Sequence, residues 1–200
     1  MKWFISDLHI DHAKVLMGSR GDAFPTIEAW QDHIIAAINK CVQKGDHLFL
    51  LGDFAFHRQA YWRQRLKGQV WLIKGNHDPS DAECIRTFGV SQFRHTYMTK
   101  VKDTPCWLSH YAHAFWPSSH HGAAHLYGHC HGQREDTLDS WMPQRRSMEV
   151  CPEVIHKLTG EWRPINEEEI HAVLSPREGH DPVRYYKDSR GEYVSATDPA

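Results

Sequence analysis

Residues able to bind a metal ion or move a proton stand in five short groups along the chain, each directly after an apolar run. "WFIS" leads into Asp7-Leu8-His9, "HLFLL" into Gly52-Asp53, and "QVWLIK" into Gly75-Asn76-His77-Asp78. "CWLS" leads into His110, and "HLY" into Gly128-His129-Cys130-His131. Histidine is the commonest metal ligand and a frequent acid or base, and 17 of them in 200 residues are the chief oddity of the composition. Side chains at i and i+2 of an extended segment point the same way. The spacing therefore predicts that Asp7 and His9 reach one point while Leu8 packs inward. It predicts the same of His129 and His131, with Cys130 turned away.

The ligand candidates are Asp7, His9, Asp53, Asn76, His110, His129 and His131, all oxygen or imidazole nitrogen donors. They are too many for one tetrahedral zinc. They suit two borderline divalent ions sharing a carboxylate, with Asp53 as the candidate bridge. His12 and His113 lie beside motifs and are candidate substrate contacts. His57, His120, His121 and His125 have no such support and read as surface or loop residues.

The elements that must carry these groups are legible in outline. Strands are predicted at 3–6, 47–51, 69–74, 125–128 and 146–150, and a hairpin from 94–101 and 106–109. Ile27, Trp30, Ile34, Ile38 and Val42 recur at helical spacing over 27–42, with Thr26 as N-cap. Shorter helices are predicted near 58–66 and 80–88, and a capping box of Asn166 with Glu169 opens another. Residues 111–124 read as a loop long enough to form a lid. Strands alternating with helices, followed by strand-rich sequence, predict a mixed α/β sandwich. In such sheets ligands bind at the carboxyl ends of strands. The domain is expected over 1–175, with a polar, motif-free tail over 176–200.

A net charge of −2 argues against a general polyanion binder, so nucleic acid is not the favoured partner. The five scattered cysteines include no CxxC pair and read as free thiols in a reducing compartment. The apolar stretch before Asp7 is too short for a signal peptide, and no run approaches a membrane span. A cytoplasmic location is expected.

The ordered string DxH, GD, GNHD, H, GHxH over residues 7–131 resembles the calcineurin-like metallophosphoesterase superfamily. "WFISDLHIDH", "GDFAF", "LIKGNHD" and "RPINEEEI" are similar to its small bacterial and phage members. The resemblance implies a four-layer α/β/β/α sandwich of two mixed sheets flanked by helices. It implies two divalent ions, manganese first among manganese, iron, zinc and nickel. One would take Asp7, His9, Asp53 and His131, the other Asp53, Asn76, His110 and His129. His77 would stay off the metals. The implied reaction is hydrolysis of a phosphoester in a small or nucleotide-type substrate by a metal-bridging hydroxide, with His77 as general acid and Asp78 orienting its ring. The motifs contain no Arg, which favours phosphodiesters; a phosphomonoesterase or a nuclease is the alternative within the fold. A non-catalytic scaffold is the alternative of another class, and a chain of that kind should lack a ligand or the GNHD histidine. Cys130 and Ala112 depart from the residues usual at their positions, which bears on the substrate loop and not on the ligands.

Overall fold

A computed structural model describes residues 1–177 and the backbone of two short strands, 185–187 and 193–195. In chain order the first elements are β1 (Lys2–Ile5), α1 (Gly18–Ala23), α2 (Ile27–Cys41), β2 (His47–Leu50), α3 (Gln59–Gln64), β3 (Gln69–Ile73), α4 (Asp81–Phe88) and β4 (Phe93–Arg94). Then come β5 (Thr96–Val101), β6 (Thr104–Ser109), β7 (Ala124–Tyr127), α5 (Glu135–Trp141), β8 (Ser147–Glu149), α6 (Pro152–Thr159), β9 (Ile165–Asn166) and α7 (Glu167–Leu174). The last are β10 (Tyr185–Lys187) and β11 (Tyr193–Ser195).

One sheet has the order β4-β3-β2-β1-β9, with β1 to β4 parallel and β9 antiparallel at the edge. The other has the order β5-β6-β7-β8: the β5–β6 pair is an antiparallel hairpin, and β6, β7 and β8 run parallel. The inner strands are nearly continuous apolar runs because parallel sheets are covered on both faces. Phe4 stacks on Phe49 within the first sheet, and Phe49 and Trp71 stack on Tyr97 of the second, so aromatic rings fill the space between the sheets. Two mixed sheets flanked by helices are the expected architecture.

Parallel pairing is what gathers the motifs. β1, β2 and β3 all end on one edge of their sheet, and β6 and β7 on one edge of theirs. The Ser6 N–H, just past β1, donates to the Val150 carbonyl, just past β8, at 3.0 Å, joining the two edges.

The helices follow from local chemistry. The Thr26 side chain accepts from the Ala29 N–H at 3.2 Å, and Trp30, Ile34 and Ile38 form the buried stripe of α2. The Asn166–Glu169 capping box closes as expected. Three helices go beyond the sequence reading: α1, α5 and α6. Of these α6 carried a signal, with Pro152 at its start and Gly160 in the left-handed region (φ 75°) at its end. From 178 onward the expected tail lies outside the described residues, apart from β10 and β11, which pair antiparallel. Among the described residues no helix is long and apolar enough to cross a membrane.

His125, expected at the surface or in a loop, is fully buried on β7. Its Nε2 accepts the His113 N–H at 3.2 Å, so Nδ1 carries the proton and donates to the Trp107 carbonyl at 3.0 Å. Burial holds this imidazole neutral, pushing its pKa down to about 3. The unfolded chain therefore takes up a proton before the folded one does. The stability tied to His125 is complete above about pH 6.5 and drains as pH falls from there towards 3, by up to about 1.4 kcal/mol per pH unit. His125→Gln should flatten the slope of unfolding free energy between pH 6.5 and 4 by about one proton, measured by denaturant titration at several pH values; an unchanged slope would refute the buried neutral imidazole.

Candidate dinuclear metal centre

The loops that leave the strands are zipped together. The Asp7 N–H donates to the Gly52 carbonyl at 3.0 Å, His9 N–H to the Asp53 carbonyl at 2.9 Å, and Gly128 N–H to the His110 carbonyl at 2.9 Å. The backbone here differs from the extended geometry the spacing predicts. Asp7, His9, Asp53, His129 and His131 all have positive φ, between 46° and 76°. Each costs on the order of 1–3 kcal/mol. These five side chains converge because the chain coils left-handedly after β1, β2 and β7, which alternation along a strand would not achieve. Two glycines allow the closest approaches to the carboxylates. A Cβ on Gly75 would sit 2.2 Å from Asp53 Oδ1, and one on Gly128 would sit 2.4 Å from Asp7 Oδ2.

Two groups result: Asp7, His9 and His131, and Asp53, His110 and His129. In the first, His9 Nε2 and His131 Nε2 are 3.2 Å apart, and each lies 3.7 Å from Asp7 Oδ1. The circumradius of that triangle is about 2.1 Å, the usual distance from a divalent ion to imidazole nitrogen or carboxylate oxygen. Asp53 Oδ2 stands 3.6 Å from both His9 Nε2 and His110 Nε2, between the groups. Asn76 Oδ1 is 2.9 Å from His110 Nε2 and completes the second group.

The donor chemistry fits divalent cations. Asp7 Oδ1 is a buried carboxylate oxygen with no hydrogen-bond donor, and a buried anion without a partner is costly. Burial works to raise the Asp7 carboxyl, yet His9, His110 and His131 outweigh it and hold the group well below the ordinary carboxylate range. Asp7 Oδ2 and Asp53 Oδ1 accept backbone N–H groups of His129 (2.9 Å) and His77 (2.8 Å), which fixes the carboxylates while leaving the other oxygens free. His110 Nδ1 lies 2.8 Å from the Leu51 carbonyl, to which it donates when Nε2 is the ligand.

Behind His131 lies a layer the sequence reading missed. Arg20 is fully buried, donates to the Asp7 carbonyl at 3.0 Å, and pairs with Glu153 at 2.7 Å. Glu153 in turn lies 3.8 Å from His131 Nδ1. Burial works to raise the Glu153 carboxyl, but His131 and Arg20 bring it down to about 2. No local pattern links residues 20, 131 and 153.

His77 is exposed, with its ring edge-on to His9 at 5.5 Å and stacked on Phe56 at 4.9 Å. His12 stacks on the other neighbour of that ring set, 3.8 Å from Phe56, and so stands at the site. Phe56 is a further addition. His113 is exposed and contacts His125 at a ring distance of 5.5 Å, and belongs to neither ligand group. The 111–124 loop is anchored on itself, since the buried Trp116 donates to the Ala123 carbonyl at 2.9 Å. Cys130 belongs to neither group, and burial pushes its thiol up to about 11.

Asp78 corrects an expectation. Its oxygens do not turn to the His77 ring. Oδ2 accepts the N–H groups of Asp53 (2.9 Å) and Gly75 (2.8 Å), and Oδ1 those of Phe54 (3.1 Å) and the Gln59 amide (3.0 Å). With both oxygens filled, the carboxylate clasps the loop after β2 to the loop after β3. It holds Asp53 and Asn76 in register and is a positioning residue. Asp78→Asn puts an amide N–H against two N–H donors. It should cost about 1–3 kcal/mol of stability and weaken divalent-ion uptake. Calorimetric titration of chelator-stripped protein checks this against wild type, where two ions should bind. Unaltered uptake by the variant would remove the clasp from the site.

A calcineurin-like phosphoesterase family model matches residues 3–194. The chain is 26% identical over 159 residues to the uncharacterized protein MJ1445 of Methanocaldococcus jannaschii, covering 77% of this chain and 82% of that one. The crystal structure of AQ665 from Aquifex aeolicus, a protein of unknown function, aligns with a TM-score of 0.66 at 22% identity, over 86% of this chain and 98% of that chain. The fold is thus shared with a solved structure. With two His/Asp groups at the meeting edges of two sheets, the chain belongs to the calcineurin-like phosphoesterase family.

Proposed function

We propose that the protein hydrolyses phosphodiesters with two divalent ions, manganese the first candidate. The observation that carries this reading is Asp53 Oδ2, equidistant at 3.6 Å from an imidazole of each ligand group. Asp7, His9, Asp53 and His131 would hold one ion, and Asp53, Asn76, His110 and His129 the other. Ions bound there would neutralise phosphoryl oxygens and acidify a water for attack on phosphorus. His77 stands free of both groups, on the rim, where its imidazole can give a proton to the departing oxygen. Phe56 and the His77 N–H bond to Asp53 set the position of that ring.

Preference for diesters is supported by where Arg20, Arg58 and Lys74 go. A monoester dianion gains most from added Arg or Lys beside the metals. Arg20 is turned to the Asp7 carbonyl and Glu153, Arg58 is held by Asp11 at 2.6 Å, and Lys74 by Asp81 at 2.5 Å. The singly charged diester makes the smaller demand. A small phosphoester or nucleotide-type molecule is the substrate class.

Matched aryl mono- and diesters, each with its best metal, test the preference. The diester should have the higher kcat/KM; a monoester advantage of tenfold, about 1.4 kcal/mol, would reverse it. His77→Ala should retain both ions and lose roughly 10²–10⁴ in rate, with a smaller loss for leaving groups that depart without a proton. An equal loss across leaving groups, or loss of an ion, would contradict the general-acid role.

A further inference from the structure

A cavity of about 900 Å³ opens beside the ligand groups. It begins at His9, His12 and His131 and runs between the segment after β1, α5, α6 and α7. We infer that it is a binding site for a large uncharged apolar substituent, alkyl or aryl, on the phosphorus of the substrate. This deepens, and rests on, the phosphodiesterase reading.

Three observations carry it. First, the cavity is one-sided. His9 and His131 line it, whereas His77, Asn76, His110 and His129 do not. The leaving group departs where His77 can protonate it, so the cavity receives the ester group that stays on phosphorus. Secondly, six apolar side chains, Val15, Met17, Met148, Val154, Leu158 and Val173, come from four separate parts of the chain and line it between its polar groups. Met17 is 71% exposed and Leu158 48% exposed, although both are large apolar side chains.

Thirdly, most of its charged groups face an opposite charge. Glu153 pairs with Arg20 at 2.7 Å, Glu135 with Arg145 at 3.1 Å, and Asp139 with Arg145 at 2.9 Å and Arg177 at 3.5 Å. Asp136 and Lys157 face each other at 4.0 Å, which leaves Lys14 without an ion pair among the described residues. A second phosphate would meet four carboxylates beside Lys14, Lys157 and Arg177, so nucleoside polyphosphates and nucleic acid gain little here. The volume is at the upper end for drug-sized ligands, and room for a methyl ester alone would need far less.

The test uses full-length, metal-reconstituted protein and a series of 4-nitrophenyl alkyl phosphodiesters from methyl to octyl. In each, water oxygen joins phosphorus, the bond to the nitrophenyl oxygen breaks, and the alkyl phosphate remains. Only the retained group varies. We expect kcat/KM to rise about two- to fourfold per methylene, and at least roughly 100-fold from methyl to octyl. In parallel, calorimetry should show octylphosphonate binding tighter than methylphosphonate by a similar factor. Leu158→Glu and Met17→Glu alter exposed positions, so the protein should fold, and each should cut the octyl advantage at least tenfold. Equal rates and equal binding along the series, within about threefold, would overturn the assignment. So would a full octyl advantage in both variants. If no ester is hydrolysed but octylphosphonate still binds the tighter, the hydrolase reading falls and the cavity assignment stands.

Discussion

Two carboxylates set the terms for this structure. Asp7 and Asp53 are buried, and three imidazoles bring a nitrogen within 3.7 Å of one or both. An ionised carboxylate out of water is costly unless it is paired and hydrogen-bonded. Each therefore keeps one oxygen on a backbone N–H and presents the other to the imidazoles. The glycines that graze them, the clasp of Asp78 and the buried Arg20–Glu153 pair follow from the same need. The glycines remove a Cβ, Asp78 accepts the loop N–H groups, and Arg20 with Glu153 backs the Asp7 carbonyl and the His131 ring.

The sandwich meets that need through its topology. Parallel strands deliver their ends to a common edge, so five loops come within bonding distance of one another without long excursions. The loops are then coiled into left-handed turns at Asp7, His9, Asp53, His129 and His131. Such turns are strained, and strained residues persist where surrounding structure over-determines them. Here the surroundings are aromatic and aliphatic layers between the sheets, together with the hydrogen bonds that zip the loops.

The two flanks of the centre differ in character. On the His77 flank lie Phe56, Asn76 and the exposed edge of the loops, open to water. On the His131 flank lie α5 and α6, with paired charges and an apolar cavity.

The sequence by itself located the candidate ligands at strand ends and outlined the sheet frame. Each ligand follows an apolar run directly, so one residue's place at a strand end is enough to put it on the functional edge. Helix α2 and the α7 capping box were legible for the same reason, since both rest on contacts within a few residues. Tertiary structure alone decided how the ligands converge, five of the seven by positive φ and not by strand alternation. It alone assigned Asp78 to the backbone amides of another loop, buried His125, and brought Arg20 and Glu153 behind His131. It also built the cavity, from α6 and α5, whose few turns give little periodicity to read. The contact between His9 and His131 spans 122 residues. Nothing local records a contact of that range; it exists only once the edges of two sheets have met.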